Sequence, residues 1–208
     1  DVLVYAAVAI VTLIGVFKCL LPLMGTTRAL RRAIRRLQQD AGTRTGTPVW
    51  QEKRFMGNRL KGSWLRFLQN AEQLDRRGLP CNVEDYINDD TVTHGPGNAT
   101  LAELIPGMLT SLGILGTFLG LVMGLSGLTL NAADTNALLA GMEKLIGGMS
   151  TAFLTSIVGV IASVVFNLMY NRQVEKCEKA IDRFCDVFSL YAMPKPVSEE
   201  TAMLTLQQ

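Results

Sequence analysis

Two long stretches of this 208-residue chain carry no Asp, Glu, Lys or Arg at all: the 30 residues Leu104–Ala133 and the 27 residues Leu145–Asn171. A helix at a water-facing surface needs a polar side, and these runs have none to offer. Apolar runs of 18 or more residues without charge read as helices that span a bilayer. A third run, the 16 residues Val2–Phe17, resumes after Lys18 as far as Met24. Its length suffices to span if the Lys18 stem lies along the apolar surface and its ammonium reaches the interface. The expectation is therefore an all-α membrane protein with three spanning helices, at 1–24, 104–128 and 145–170. Such runs exclude an ordinary soluble enzyme and exclude disorder.

Charge asymmetry sets the orientation. Thirteen Lys/Arg fall between Gly25 and Glu103 and five follow Asn171, whereas the link between the second and third runs holds Lys144 alone. Basic segments stay on the cytoplasmic side. Residues 25–103 and the tail from 171 to 208 are thus predicted cytoplasmic and helical, and 129–144 a short periplasmic loop. Asp1 opens directly on apolar residues, and Ser198-Glu199-Glu200 reads as the start of another helix, so a longer parent chain with a longer tail is expected.

Inside the basic segment, Leu30, Ala33, Ile34 and Leu37 recur at helical spacing between Arg28, Arg31, Arg32, Arg35 and Arg36. This predicts an amphipathic helix, read as a collar against membrane lipid; direct nucleic-acid binding is not expected, because no aromatic platform accompanies the arginines. Trp50–Arg77 shows helical spacing through Phe55, Leu60, Trp64, Phe67, Leu68 and Leu74. Glu84, Asp85, Asp89 and Asp90 form an acidic stretch lacking the glycine and terminal glutamate of a calcium loop, and read as a solvated face. In the tail, Val174, Cys177, Ile181, Phe184, Phe188 and Tyr191 are spaced 3-4-3-4-3, the seam of a helix that packs on a copy of itself or on a neighbour. Cys19, Cys81, Cys177 and Cys185 show no metal or redox spacing and read as small buried hydrophobes. His94 lies in a turn-like stretch and carries no assigned chemistry.

The second and third runs hold the informative residues. Gly116, Gly120 and Gly124 line one face of the second, with Pro106 expected in its first turn, where it costs little. Gly148, Ala152, Ser156, Ser163 and Asn167 recur near one face of the third, with Thr155 and Gly159 beside them. Small residues let helix backbones approach closely in lipid. Thr117, Thr155 and Ser156 add hydroxyls. Each alone most simply bonds back to its own helix, but several on facing helices would line a narrow polar path. Neither run contains a carboxylate, His, Lys or Arg, so this chain by itself cannot relay protons through side-chain ionisation. No nucleophile–base pair, phosphate loop or metal spacing is present, so no enzyme activity, metal or cofactor is expected.

The Gly116-Thr117-Phe118-Leu119-Gly120 core and the stretch Ser150–Gly159 (STAFLTSIVG) together resemble the MotA/TolQ/ExbB family of proton-channel subunits, and within it the branch that serves anti-phage defence. The resemblance covers the last two runs closely and the rest of the layout loosely. It implies a homopentamer around a dimer of a single-span partner, whose membrane aspartate takes and releases the ion. It places Thr117 and Ser156 at the family's two hydroxyl positions, with Thr155 alongside; TolQ and ExbB carry Thr where Ser156 stands. Gly116, Gly120, Gly124, Gly148 and Gly159 would pack the helices. It further implies a place in the bacterial inner membrane and coupling through the tail to cytoplasmic defence effectors. The ion, proton or sodium, stays open. So do an ExbB/TolQ- or MotA-type energising subunit and a non-conducting membrane scaffold.

Overall fold

The computed structural model describes residues 2–40, 48–77, 81–94, 98–126 and 135–192. The described residues are almost wholly helical: α1 (Val2–Gly15), a π-helical turn (Val16–Leu20), α2 (Leu21–Asp40), α3 (Lys61–Asp75), α4 (Ala99–Ser126) and α5 (Thr135–Tyr191), with short helical turns at Val49–Gln51, Val83–Asp85 and Asp90–His94. Three helical stretches, Val2–Asp40, Ala99–Ser126 and Leu139–Tyr191, are long and apolar enough to cross a membrane. The expected all-α architecture with three such helices is what the chain forms. The expected boundary residue Leu128, the rest of the 129–134 link and the tail beyond Ala192 lie outside the described residues.

Two compact units divide the chain. The first comprises Asp1–Cys19 and Ala99–Asn171; the second comprises Leu20–Asn98 and Arg172–Gln208. In the first unit α1, α4 and the leading part of α5 pack side by side. Gly15 of α1 lies against Phe166 and Ile105, and Val4 lies against Gly116, so α1 runs antiparallel to α4 and parallel to α5. The outer faces are apolar: Ile10, Leu13 and Phe17, then Leu115, Phe118 and Val122, then Phe153, Ile157, Ile161 and Val164 are all exposed. Such surfaces suit a hydrocarbon solvent and no aqueous one.

The second unit is built the opposite way, around side chains. Trp64 of α3 is fully enclosed and stands within ring contact of Phe55, Phe67, Phe184 and Phe188, at centroid distances of 5.3, 5.0, 6.2 and 5.7 Å. Leu30, Ala33, Ile34 and Leu37 of α2 are buried, as the periodicity predicts, and the five arginines face outward. The apolar face of α2 is therefore consumed by the protein core, which corrects its reading as the lipid-inserting side of a collar. Helical spacing from Trp50 misleads as well. Residues 52–60 run through turns, Gly57 takes φ +72°, and α3 begins only at Lys61. Phe55, Met56 and Leu60 still reach the core from those turns. The predicted tail seam turns inward: Cys177, Ile181, Phe184 and Phe188 are buried in this unit, while Tyr191 is exposed. Of the cysteines, Cys19, Cys177 and Cys185 are buried and Cys81 is half-buried, all as free thiols.

Candidate functional site: the α4–α5 seam

The seam between α4 and α5 is a contact of backbones, and the sequence makes it possible through what it omits. A Cβ added at Gly120 would stand 2.6 Å from the Ala152 Cβ; one at Gly159 would stand 2.8 Å from both the Gly113 Cα and the Leu109 carbonyl oxygen. One at Gly116 would meet the Thr155 Oγ1 at 2.6 Å, and one at Gly113 the Ser156 carbonyl oxygen at 3.2 Å. Gly148 is tight against Gly124 at 3.3 Å, whereas the Gly124 position itself finds its nearest neighbour at 3.7 Å, an ordinary contact. Gly107 and Gly147 face open space. All five glycines named from the sequence thus lie on this seam; Gly113 joins them. The pairing Gly124 with Leu145, Gly120 with Ala152, Gly116 with Thr155 and Gly113 with Gly159 runs in opposite directions along the two helices, so they are antiparallel.

The inward face of α5 is Ala152, Thr155, Gly159, Ser163, Phe166 and Tyr170. This corrects the stripe expected from steps of four. An α-helix turns 3.6 residues per turn, so a strict four-residue stripe drifts around the helix, and the buried face must mix steps of three and four. Ser156 is consequently half-buried and Asn167 exposed, while Thr155 is fully buried. Pro106 is also displaced from expectation: α4 begins at Ala99, which puts the proline inside the helix rather than in its first turn. Its carbonyl oxygen accepts hydrogen bonds from the Thr110 and Ser163 hydroxyls, each at 2.9 Å. The Ser163 bond joins α5 to α4 directly.

The three hydroxyls named from the sequence separate into two settings. Thr155 donates to the Ala152 carbonyl at 2.7 Å and is enclosed by Gly116. Thr117 is half-buried and donates to the Ile114 carbonyl. Among the described residues Ser156 has no side-chain hydrogen-bond partner. Because the helices are antiparallel, one residue step toward the C-terminus from the facing pair Gly116/Thr155 turns both chains to the same flank. Thr117 and Ser156 therefore share one side of the seam. The same step from buried Ala102 and Phe166 brings Glu103 and Asn167 to that flank, and from Leu109 it brings Thr110. Polar groups thus recur along it about every turn: Glu103 and Asn167, Ser163 on the Pro106 carbonyl, Thr110, Ser156, Thr117. Thr110 and Glu103 were not picked out from the sequence, and the antiparallel register is the signal that gathers them. Beyond Glu103, no residue from 104 to 126 or 145 to 171 can titrate as an acid or base in the ordinary range apart from Tyr170.

An apolar three-helix membrane unit with a glycine-lined, hydroxyl-flanked helical hairpin defines a multi-span membrane protein whose spanning helices are specialised for close association. The chain matches, over residues 1–201, the family described as anti-phage protein ZorA of the Zorya type I system, and it belongs to that family. It is 42% identical over 67 residues to a Zorya protein ZorA of Escherichia coli strain Crooks, an alignment covering 32% of this chain and 11% of that protein. It is 23% identical over 140 residues to a Zorya protein ZorA of an Escherichia coli ETEC strain, covering 62% of this chain and 19% of that protein. The chain therefore aligns with only about a tenth to a fifth of the length of these relatives.

Proposed function

We propose that this protein is the ion-conducting motor subunit of its anti-phage system: a homopentamer in the inner membrane, enclosing a dimer of a ZorB-like single-span partner, with its tail in the cytoplasm. In this reading it is not an enzyme and holds no cofactor; its ligand is the transported ion, a proton or sodium. The observation that supports it is the flank of the α4–α5 seam, where the half-buried hydroxyls Thr117 and Ser156 sit within stretches, 104–126 and 145–171, that carry no Asp, Glu, Lys or Arg. Hydroxyls donate and accept hydrogen bonds without titrating. They suit the hydration and steering of an ion whose carrier carboxylate must come from another chain, since an ionised side chain in hydrocarbon is costly and is placed only where function needs it. Thr155, with its hydroxyl bonded and enclosed, serves the path by holding α5 against Gly116. Ion flow past the partner carboxylate would turn one ring against the other and carry the signal to cytoplasmic defence effectors.

The test is the double substitution Thr117→Val with Ser156→Ala in the full-length protein with its partner. Both changes keep side-chain volume close to the original and leave the glycine contacts untouched. The expected outcome is an intact assembly that has lost ion flux in proteoliposomes and phage protection in cells. If the variant conducts and protects normally, the path assignment fails, and a packing-only scaffold becomes the better account.

A further inference from the structure

The arginine face of α2 has no assigned work. Arg28, Arg31, Arg32, Arg35 and Arg36 are all exposed, and none has an ion pair with a described residue. An interfacial membrane helix binds by inserting its apolar side, but the apolar side of α2 is buried in its own unit. Whatever meets this face meets it through charge.

The same unit carries the complementary surface. Glu84, Asp85 and Asp89 are exposed on the segment after α3, and Asp182 and Asp186 are exposed on α5, again without ion pairs to described residues. These groups converge around one point: burial, reinforced by Glu84, Asp182, Asp186 and Asp89, pushes the Cys185 thiol up to about 12. The single cation on α5 between residues 180 and 191 is Arg183.

Height along the helices ties the two surfaces together. Thr26 of α2 touches Cys177 of α5, 151 positions apart in sequence. Both helices continue from that point, and each rises about 1.5 Å per residue. Asp40 at the end of α2 accepts from the Val49 N–H at 2.9 Å, and the adjacent Trp50 ring stands 5.7 Å from Phe188, so the two helices run on in the same direction and the same offset sets Arg31 level with Asp182 and Arg35 level with Asp186. Each pair is an i, i+4 stripe, so the stripes have equal spacing as well as equal height. A ring of identical copies needs a head-to-tail interface, in which two different surfaces of each copy meet. Rotation about an axis parallel to these helices preserves height.

We propose that the α2 arginine face docks on the acidic surface of an adjacent copy of this chain, Arg31 opposite Asp182 and Arg35 opposite Asp186 of the neighbour. This rests on the ring-forming reading above. Exposed pairs of this kind add little affinity each; their part is to fix which face meets which, and in what register.

The experiment uses the full-length chain with its partner in detergent, followed by native mass spectrometry. Arg31→Glu with Arg35→Glu is expected to cut the ring population at least tenfold, and Asp182→Arg with Asp186→Arg to do the same. Combining all four restores the ring. In a Cys81→Ser background, chains carrying Arg35→Cys mixed with chains carrying Asp186→Cys are expected to give a disulfide-linked dimer on oxidation, which an internal contact cannot produce. Charge-reversed chains that form rings as well as wild type overturn the proposal, and so does a fourfold swap that fails to restore them. Loss of binding to phosphatidylglycerol vesicles with rings intact assigns the face to lipid instead, and also overturns it. A wild-type protein that forms no ring would fail the motor reading itself, a result distinct from any of these.

Discussion

The two units of this chain solve the same problem, holding helices together, with opposite materials. In the first, α4 and α5 meet where side chains are missing, and backbone atoms come within contact distance across Gly113, Gly120 and Gly159. In the second, α3 and the end of α5 meet through the largest side chains available, Trp64, Phe67, Phe184 and Phe188. The solvent explains the difference. In water, burying an aromatic ring removes a large apolar area from solvent and drives association. In hydrocarbon that gain vanishes, because lipid tails are as apolar as any side chain, and only close packing and hydrogen bonds remain. Many large apolar residues of the first unit are accordingly exposed on its outside, and the α4–α5 contact is made largely of glycine, alanine and hydroxyls, with Leu109 and Phe166 among the few large side chains buried in the unit.

The comparison breaks most visibly at Trp64. Trp64→Ala removes the ring that touches four others and is expected to cost about 3–5 kcal/mol. Limited proteolysis should then cut the second unit readily, the end of α5 included, while α4 and the part of α5 before Arg172 stay protected; equal loss in both units would show that they do not fold as separate cores. The next effect in size is expected at Gly159, where the added methyl of Gly159→Ala meets backbone on two sides and has no side chain to push away. Overpacking of that kind costs about 1–3 kcal/mol. The matched control is Gly107→Ala, which enters open space and should leave thermal stability in detergent unchanged. If the two alanines behave alike, the seam is not a backbone contact. The smallest effect belongs to Ser163→Ala, which deletes the bond to the Pro106 carbonyl. Interhelical hydrogen bonds in membranes average about 0.6 kcal/mol, so a shift of a degree or two in the melting temperature is expected. A much larger loss would mean that the Pro106 carbonyl, rather than glycine packing, holds the hairpin.

Much of the architecture was legible from charge alone. The absence of charges over Leu104–Ala133 and Leu145–Asn171 marks two spanning helices in any environment, since no fold can give such a run an aqueous face. The periodicity of Leu30, Ala33, Ile34 and Leu37 likewise determined which side of α2 is buried. What covers that side was not legible, because lipid and protein core present the same apolar demand. The tail seam shows the same limit: spacing placed Cys177, Ile181, Phe184 and Phe188 on one face, and only the fold showed that α2 and α3 of the same chain occupy it.

At the seam the division is sharper. Residue type alone determined that glycines would let two helices close in and that hydroxyls, with Asn167, would supply most of the polar side chains within the bilayer. Which hydroxyl is sealed and which is left on the flank depended on the antiparallel register and on a 3.6-residue turn that carries Ser156 away from the contact and Thr155 into it. That choice belongs to tertiary structure, because a rotation of one residue, 100° about the helix axis, exchanges the two, and nothing local in the sequence prefers one over the other.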